Sequence, residues 1–166
     1  MKGISISIHK EFEALIQHAF QDVRYPGDDN LVALGREATG EPASIAARLK
    51  GKKWSDLDTE EIIWHQASLS MLLPAALHYY LPAFLIASLE PDKVGFVFDA
   101  LLWTLSPSFY EGGSTARFDE LVRLLSDEQR IAIRLFFDYA RDTYPQDFAG
   151  DAPETTLTTY WTDGKI

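Results

Sequence analysis

Apolar positions recur every three to four residues along most of this chain. From Lys10 to Arg24 they are Phe12, Leu15, Ile16, Ala19, Phe20 and Val23, the spacing of one buried helical face. Tyr25-Pro26-Gly27 ends that helix. Upstream, Ile4, Ile6 and Ile8 alternate with Ser5 and Ser7. This period of two predicts a short strand or, with no partner strand, an extended arm over residues 1–8 that stops at a Ser7 cap. Residues 28–53 read as irregular, with weaker helical pieces at 31–37 and 42–49 and a break at Gly51-Lys52-Lys53.

From Ile62 to Leu89 there is no Asp, Glu, Lys or Arg. Asp58 or Thr59 caps a helix that places Glu60 and Glu61 in its positive first turn and carries Ile62, Ile63, Leu69, Met71 and Leu72. Pro74 opens the next helix at a favoured position. Pro82 cannot donate to the carbonyl of His78 and biases Leu81 away from the α region, so a kink or two short helices are expected there. The run is long enough to raise the question of a membrane span. Against a span stand the two prolines, the polar His78, Ser68 and Ser70, and acidic flanks at Glu60/Glu61 and Glu90/Asp92. Spanning helices usually carry Lys or Arg on the cytoplasmic side, whereas the nearest basic residues here are Lys53 and Lys93. The expected role is a core helix, apolar all round because other helices surround it.

Further along, Val94, Val97, Phe98, Leu101, Leu102 and Leu105 predict a helix over 92–105, and Gly112-Gly113 a turn before a Ser114 cap. The next helix bears Phe118, Leu121, Val122 and Leu125. Ser126-Asp127-Glu128-Gln129 is a capping box. Its helix runs to Thr143, with Ile131, Ala132, Leu135, Phe136, Tyr139 and Ala140 read as one face, and Pro145 stops it. Pro153 opens a last short helix near Tyr160-Trp161. No repeat or linker divides the chain, so 1–166 is expected to be one domain with its 146–166 segment packed on it.

The 166 residues are 46% hydrophobic and 13% aromatic, globular values. There is no cysteine, which removes disulfides, thiolate catalysis and cysteine metal ligands. The apolar run at the N-terminus is too short for a secretory signal, so the cytoplasm is expected. The net charge of −10 is spread along the chain. That excludes the clustered basic footprint of a nucleic-acid binder and an affinity for anionic membranes, and leaves room for a protein partner.

The candidate chemistry is sparse. His9 and His18 lie nine apart on one helix and cannot chelate together. Glu61 and His65, four apart, have a spacing that can hold a metal but read better as a surface helix pair. No serine elbow or phosphate loop occurs. Gly112-Gly113-Ser114 reads as a turn and cap. His78, Tyr79 and Tyr80, beside the Pro82 break, are the candidate binding cluster, against the alternative of buried rings bonded to backbone. Ile133 and Phe137 lie off the main apolar face and either dock a partner or broaden the core contact. No catalytic residue, cofactor or metal site is assigned.

Gly51-Lys52-Lys53-Trp54, Leu72-Leu73-Pro74, the block His78-Tyr79-Tyr80-Leu81-Pro82-Ala83-Phe84-Leu85, Ser126-Asp127-Glu128-Gln129 and Tyr160-Trp161 together form a pattern over residues 10–161. It resembles an uncharacterised bacterial family, a domain of unknown function with a G-K-x-W segment and a Y-Y-L-P-A-F-L block. Leu73 departs from it, standing where Thr would cap Pro74. The resemblance implies a single soluble bacterial domain and adds no mechanism. The expected fold is all-α, roughly seven helices round the 74–89 segment. The expected function is non-enzymatic protein binding, of which a toxin-neutralising immunity protein is one form. The alternative is a small-molecule or catalytic pocket at the Pro82 break. The oligomeric state is not legible.

Overall fold

Pro74 opens the helix around which the others gather. A computed structural model describes residues 2–33, 39–90, 96–107, 115–143, 156–157 and 160–161. Among these residues the chain forms seven α-helices and no strand: α1 Lys2–Phe20, α2 Glu41–Leu49, α3 Thr59–His65, α4 Pro74–Ala87, α5 Val97–Thr104, α6 Ala116–Leu124 and α7 Asp127–Thr143. Three 3-10 segments, Asp28–Asn30, Trp54–Asp56 and Gln66–Met71, join them. The fold is all-α, as the apolar periodicity predicts.

Every residue of α4 from Tyr79 to Leu85 is buried. The helix packs against α1, α3, α5, α6 and the Trp54–Asp56 turn, which is why it is apolar on all sides. Leu73 holds the N-cap position without a side-chain bond. The backbone supplies the anchor instead: Leu73 N donates to Leu31 O at 2.9 Å, beside a β-bridge between Val32 and Leu72. Pro82 sits inside one continuous helix, not between two short ones. The missing backbone bond costs about 3 kcal/mol in a solvated helix; burial of the whole stretch from Tyr79 to Leu85 offsets it. Among the described residues no helix is long and apolar enough to cross a membrane.

Three sequence expectations are corrected. Residues 2–8 continue α1 and do not form an extended arm, and α1 stops at Phe20, short of Arg24. Ile4, Ile8 and Phe12 stand four apart, so the isoleucines that alternate with serine also satisfy a helical period. The helix expected to carry Ile62 to Leu72 ends at His65 and tightens into the 3-10 segment Gln66–Met71. The Arg117 guanidinium of α6 takes the carbonyls of Leu69 and Leu72, which are thereby free of the α ladder. The buried face of α7 is rotated from the expected one. It consists of Gln129, Ala132, Ile133, Phe136, Phe137 and Ala140, while Ile131 and Leu135 are 43% and 39% exposed.

At two helix starts the local signals hold. Asp58 caps α3, accepting from Glu61 N at 2.9 Å. The capping box of α7 forms in both directions: Gln129 N donates to Ser126 Oγ and Ser126 N to Gln129 Oε1. Near the C-terminus Trp161 is buried, stacked on Phe137, with Nε1 donating to Leu105 O at 3.2 Å. The Ser114 cap and the 31–37 helix fall wholly or partly outside the described residues.

Candidate functional site

α4 packs against α1 on one side and against the Trp54–Asp56 turn and α3 on the other, and residues of its C-terminal half are shared with a space between them. The described residues there enclose a groove of about 970 Å³. Leu57, Ile62, Ala83, Ile86 and Ala87 give it an apolar floor. One wall is the polar flank of α1, where Gln17 Nε2 donates to Glu13 Oε1 at 3.2 Å and Gln21 Nε2 meets His18 Nδ1 at 3.4 Å. The other wall carries Trp54, Ser55 and Thr59. Glu13, Glu90 and Lys10 line the groove itself, and the exposed Asp56, Asp58 and Glu60 are sequence neighbours of its lining residues Ser55, Leu57 and Thr59. The charged lining is thus two carboxylates against one ammonium, with three more carboxylates on the adjoining stretch.

A second space of about 290 Å³ lies on the opposite flank of α1, among Phe12, Leu15, Leu89 and Leu135. The rings of His9 and Tyr139 pack edge to face beside it, with Tyr139 Oη 3.4 Å from His9 Nε2. His9 borders both spaces. His9 and His18 are separated by about 13 Å of helix, too far to act on one atom. Among the described residues no group of three His, Asp or Glu side chains is placed to hold a metal.

The residues singled out in the sequence take other places. None of His78, Tyr79, Tyr80, Ile133 and Phe137 lines either space. His78 is half-buried, with Nε2 2.7 Å from Gln129 Oε1. Gln129 Oε1 already accepts from Ser126 N, and Gln129 Nε2 donates to Ala19 O at 2.9 Å. That fixes the amide orientation and makes His78 Nε2 a donor, leaving Nδ1 bare in the neutral ring. Burial lowers the His78 pKa, partly countered by the Gln129 bond. Its partner is thus a side-chain amide, not the expected backbone.

Tyr80 is fully buried, and its hydroxyl points at Leu49 O and Lys52 O, 2.9 and 3.0 Å away. Burial pushes its pKa up. Tyr79 packs edge to face between Tyr80 and Tyr25. Tyr25 Oη donates to Asp28 at 2.7 Å and accepts from Gly51 N at 2.9 Å. Gly51 has φ 68°, a conformation that favours glycine, so the three tyrosines pin the tight turn after α2. Ile133 and Phe137 are fully buried and broaden the core contact of α7.

Glu61 and His65 do not pair. Glu61 forms an ion pair with Lys52, and His65 turns inward. The sequence reading did not assemble these residues into a groove because polar side chains on an amphipathic helix look solvated. The available signal was Trp54, a large aromatic followed by Asp56, Asp58 and Glu60.

The sequence matches a family of unknown function, DUF6714, over residues 9–165. No curated protein and no solved structure matches it.

Proposed function

The chain belongs to DUF6714, a family of unknown function, and from that premise we propose that it is a non-enzymatic binding protein. Its groove receives a segment of another protein that carries apolar anchors flanked by basic residues. One observation carries the reading: Leu57, Ile62, Ala83, Ile86 and Ala87 line the groove together with Glu13 and Glu90, and the 54–60 stretch that lends it Leu57 and Thr59 exposes Asp56, Asp58 and Glu60. Helix-in-groove recognition uses such an apolar floor for anchors, and the carboxylates select basic flanks. The chain's net charge of −10 adds long-range attraction for such a partner. Toxin neutralisation, as by immunity proteins and antitoxins, is one form this binding takes.

The alternative, a small-molecule site at the Pro82 break, has less behind it. His78 is engaged by Gln129, and Tyr79 and Tyr80 are committed to the α2 turn. Acid–base chemistry needs a group within reach of a bound substrate.

A peptide library displayed on phage tests the proposal. Selected peptides should be enriched in Lys and Arg around aromatic or aliphatic anchors. Ala87→Trp, which fills the floor, and Glu13→Lys, which reverses a lining charge, should each weaken the best peptide at least about tenfold. Asp142→Lys, away from the groove on α7, should leave its affinity within about twofold. Equal binding by wild type and Ala87→Trp sinks the reading.

A further inference from the structure

We infer that His65 is an acid-sensitive latch at the corner where α3 turns into the 3-10 segment Gln66–Met71, and that protonation of its ring opens this corner. The ring is 1% exposed, and among the described residues neither Nδ1 nor Nε2 has a hydrogen-bond partner. A neutral imidazole in that position already forgoes its hydrogen bonds; an imidazolium would add a buried charge with no acceptor.

The surroundings reinforce this. Trp64 packs edge to face against the ring at 4.6 Å, and the Arg48 guanidinium of α2 lies 4.2 Å over the Trp64 ring. Lys52 is the second cation, and Glu61, the carboxylate one helical turn before His65, is tied to it. α4 has no Asp, Glu, Lys or Arg; its His78 is engaged by Gln129, Tyr79 packs on Tyr25, and the Tyr80 hydroxyl is turned to Leu49 O and Lys52 O. α6 sends Arg117 to the carbonyls of Leu69 and Leu72, and α5 carries Asp99 in an exposed position. The charges nearest the ring thus disfavour a third cation there.

The segment is also the one suited to move. α3 is a single short helix followed by a 3-10 stretch, whose bonds are poorer than those of an α-helix. Burial first, then Arg48 and Lys52, lower the His65 pKa from 6.5 to about 4. The closed corner therefore binds fewer protons than the open one, and opening is favoured as pH falls from about 6.5 towards 4. Between pH 7 and pH 5 the opening equilibrium should rise about twentyfold. α3 also supplies Thr59 and Ile62 to the groove. Loss of that wall in acid would release an occupant; this consequence, unlike the latch, rests on the proposed function.

Amide hydrogen exchange of the full chain, followed by NMR and corrected for intrinsic rates, tests the latch without any partner. The expected result is an approximately twentyfold increase in opening for amides of residues 63–71 between pH 7 and pH 5, with Phe136 and Phe137 amides unaffected. His65→Phe keeps an aromatic ring without a titrating group and should flatten the profile. If that variant fails to fold, Arg48→Met, which keeps an apolar stem over Trp64, should reduce the rise. In the wild type, the His65 Cε1–H resonance should titrate with a midpoint below pH 5. A midpoint above pH 6, or exchange at 63–71 that does not change with pH, overturns the latch.

Discussion

Gln129 shows how much a single side chain can hold together. Its carbonyl oxygen takes the Ser126 amide and faces His78 Nε2, and its nitrogen serves the carbonyl of Ala19 at the end of α1. It is only 5% exposed, and two of its partners, His78 and Ala19, are half-buried, whereas Ser126 is exposed. Gln129→Met keeps the volume and removes all three bonds. The expected loss is about 2–4 kcal/mol of stability, larger than for a solvated cap because half-buried groups go unpaired. A urea melt measures it, and a loss under about 1 kcal/mol would show the node to be dispensable. Half of this role is legible in the sequence: the S-x-x-Q spacing declares the capping box. The other half is not, because His78 and Ala19 are 51 and 110 residues away and local periodicity carries no information at that range.

Gln129 also explains the phase of its helix. With Gln129 facing inward, the positions three, four, seven, eight and eleven residues on are Ala132, Ile133, Phe136, Phe137 and Ala140, the buried set. The sequence admits a second apolar stripe through Ile131 and Leu135, and apolarity alone does not choose between them. Truncation separates the two. Ile133→Ala and Phe137→Ala should each cost about 2–5 kcal/mol, while Ile131→Ala and Leu135→Ala should cost under about 1 kcal/mol. Equal costs on both stripes would place the buried face wrongly.

In α4 the comparable question is Pro82. Replacing it with Ala restores a donor for the His78 carbonyl, yet removes a buried ring and redirects the turn that seats Leu81, Phe84 and Leu85, all 0–1% exposed. Pro82→Ala should lower stability by about 1–3 kcal/mol. A raised melting temperature would mean that the proline is merely tolerated.

On the scale of the whole molecule, the uncharged stretch from Ile62 to Leu89 marked the centre of the fold, because an element free of charge has to be surrounded. The groove was not legible in the same way. Its floor joins Ala83, Ile86 and Ala87 of α4 to Leu57 and to Ile62 of α3, one wall comes from α1 and the other from the Trp54–Thr59 stretch, and their spacing follows from packing between distant segments. His65 was misread for a related reason. The spacing of four from Glu61 is right for a pair, but Lys52, nine residues earlier, reaches Glu61 first.

The central claim is that the groove is where a partner's basic, apolar-anchored segment sits. The most direct measurement is a chemical-shift map of the isotope-labelled protein titrated with the best selected peptide. The account predicts saturable shifts at Glu13, Gln17, Trp54, Leu57, Ile86 and Ala87, with little change at Phe136 and Phe137. Shifts centred on His78 and Gln129, or confined to the exposed Ile131 and Leu135 stripe, would contradict it.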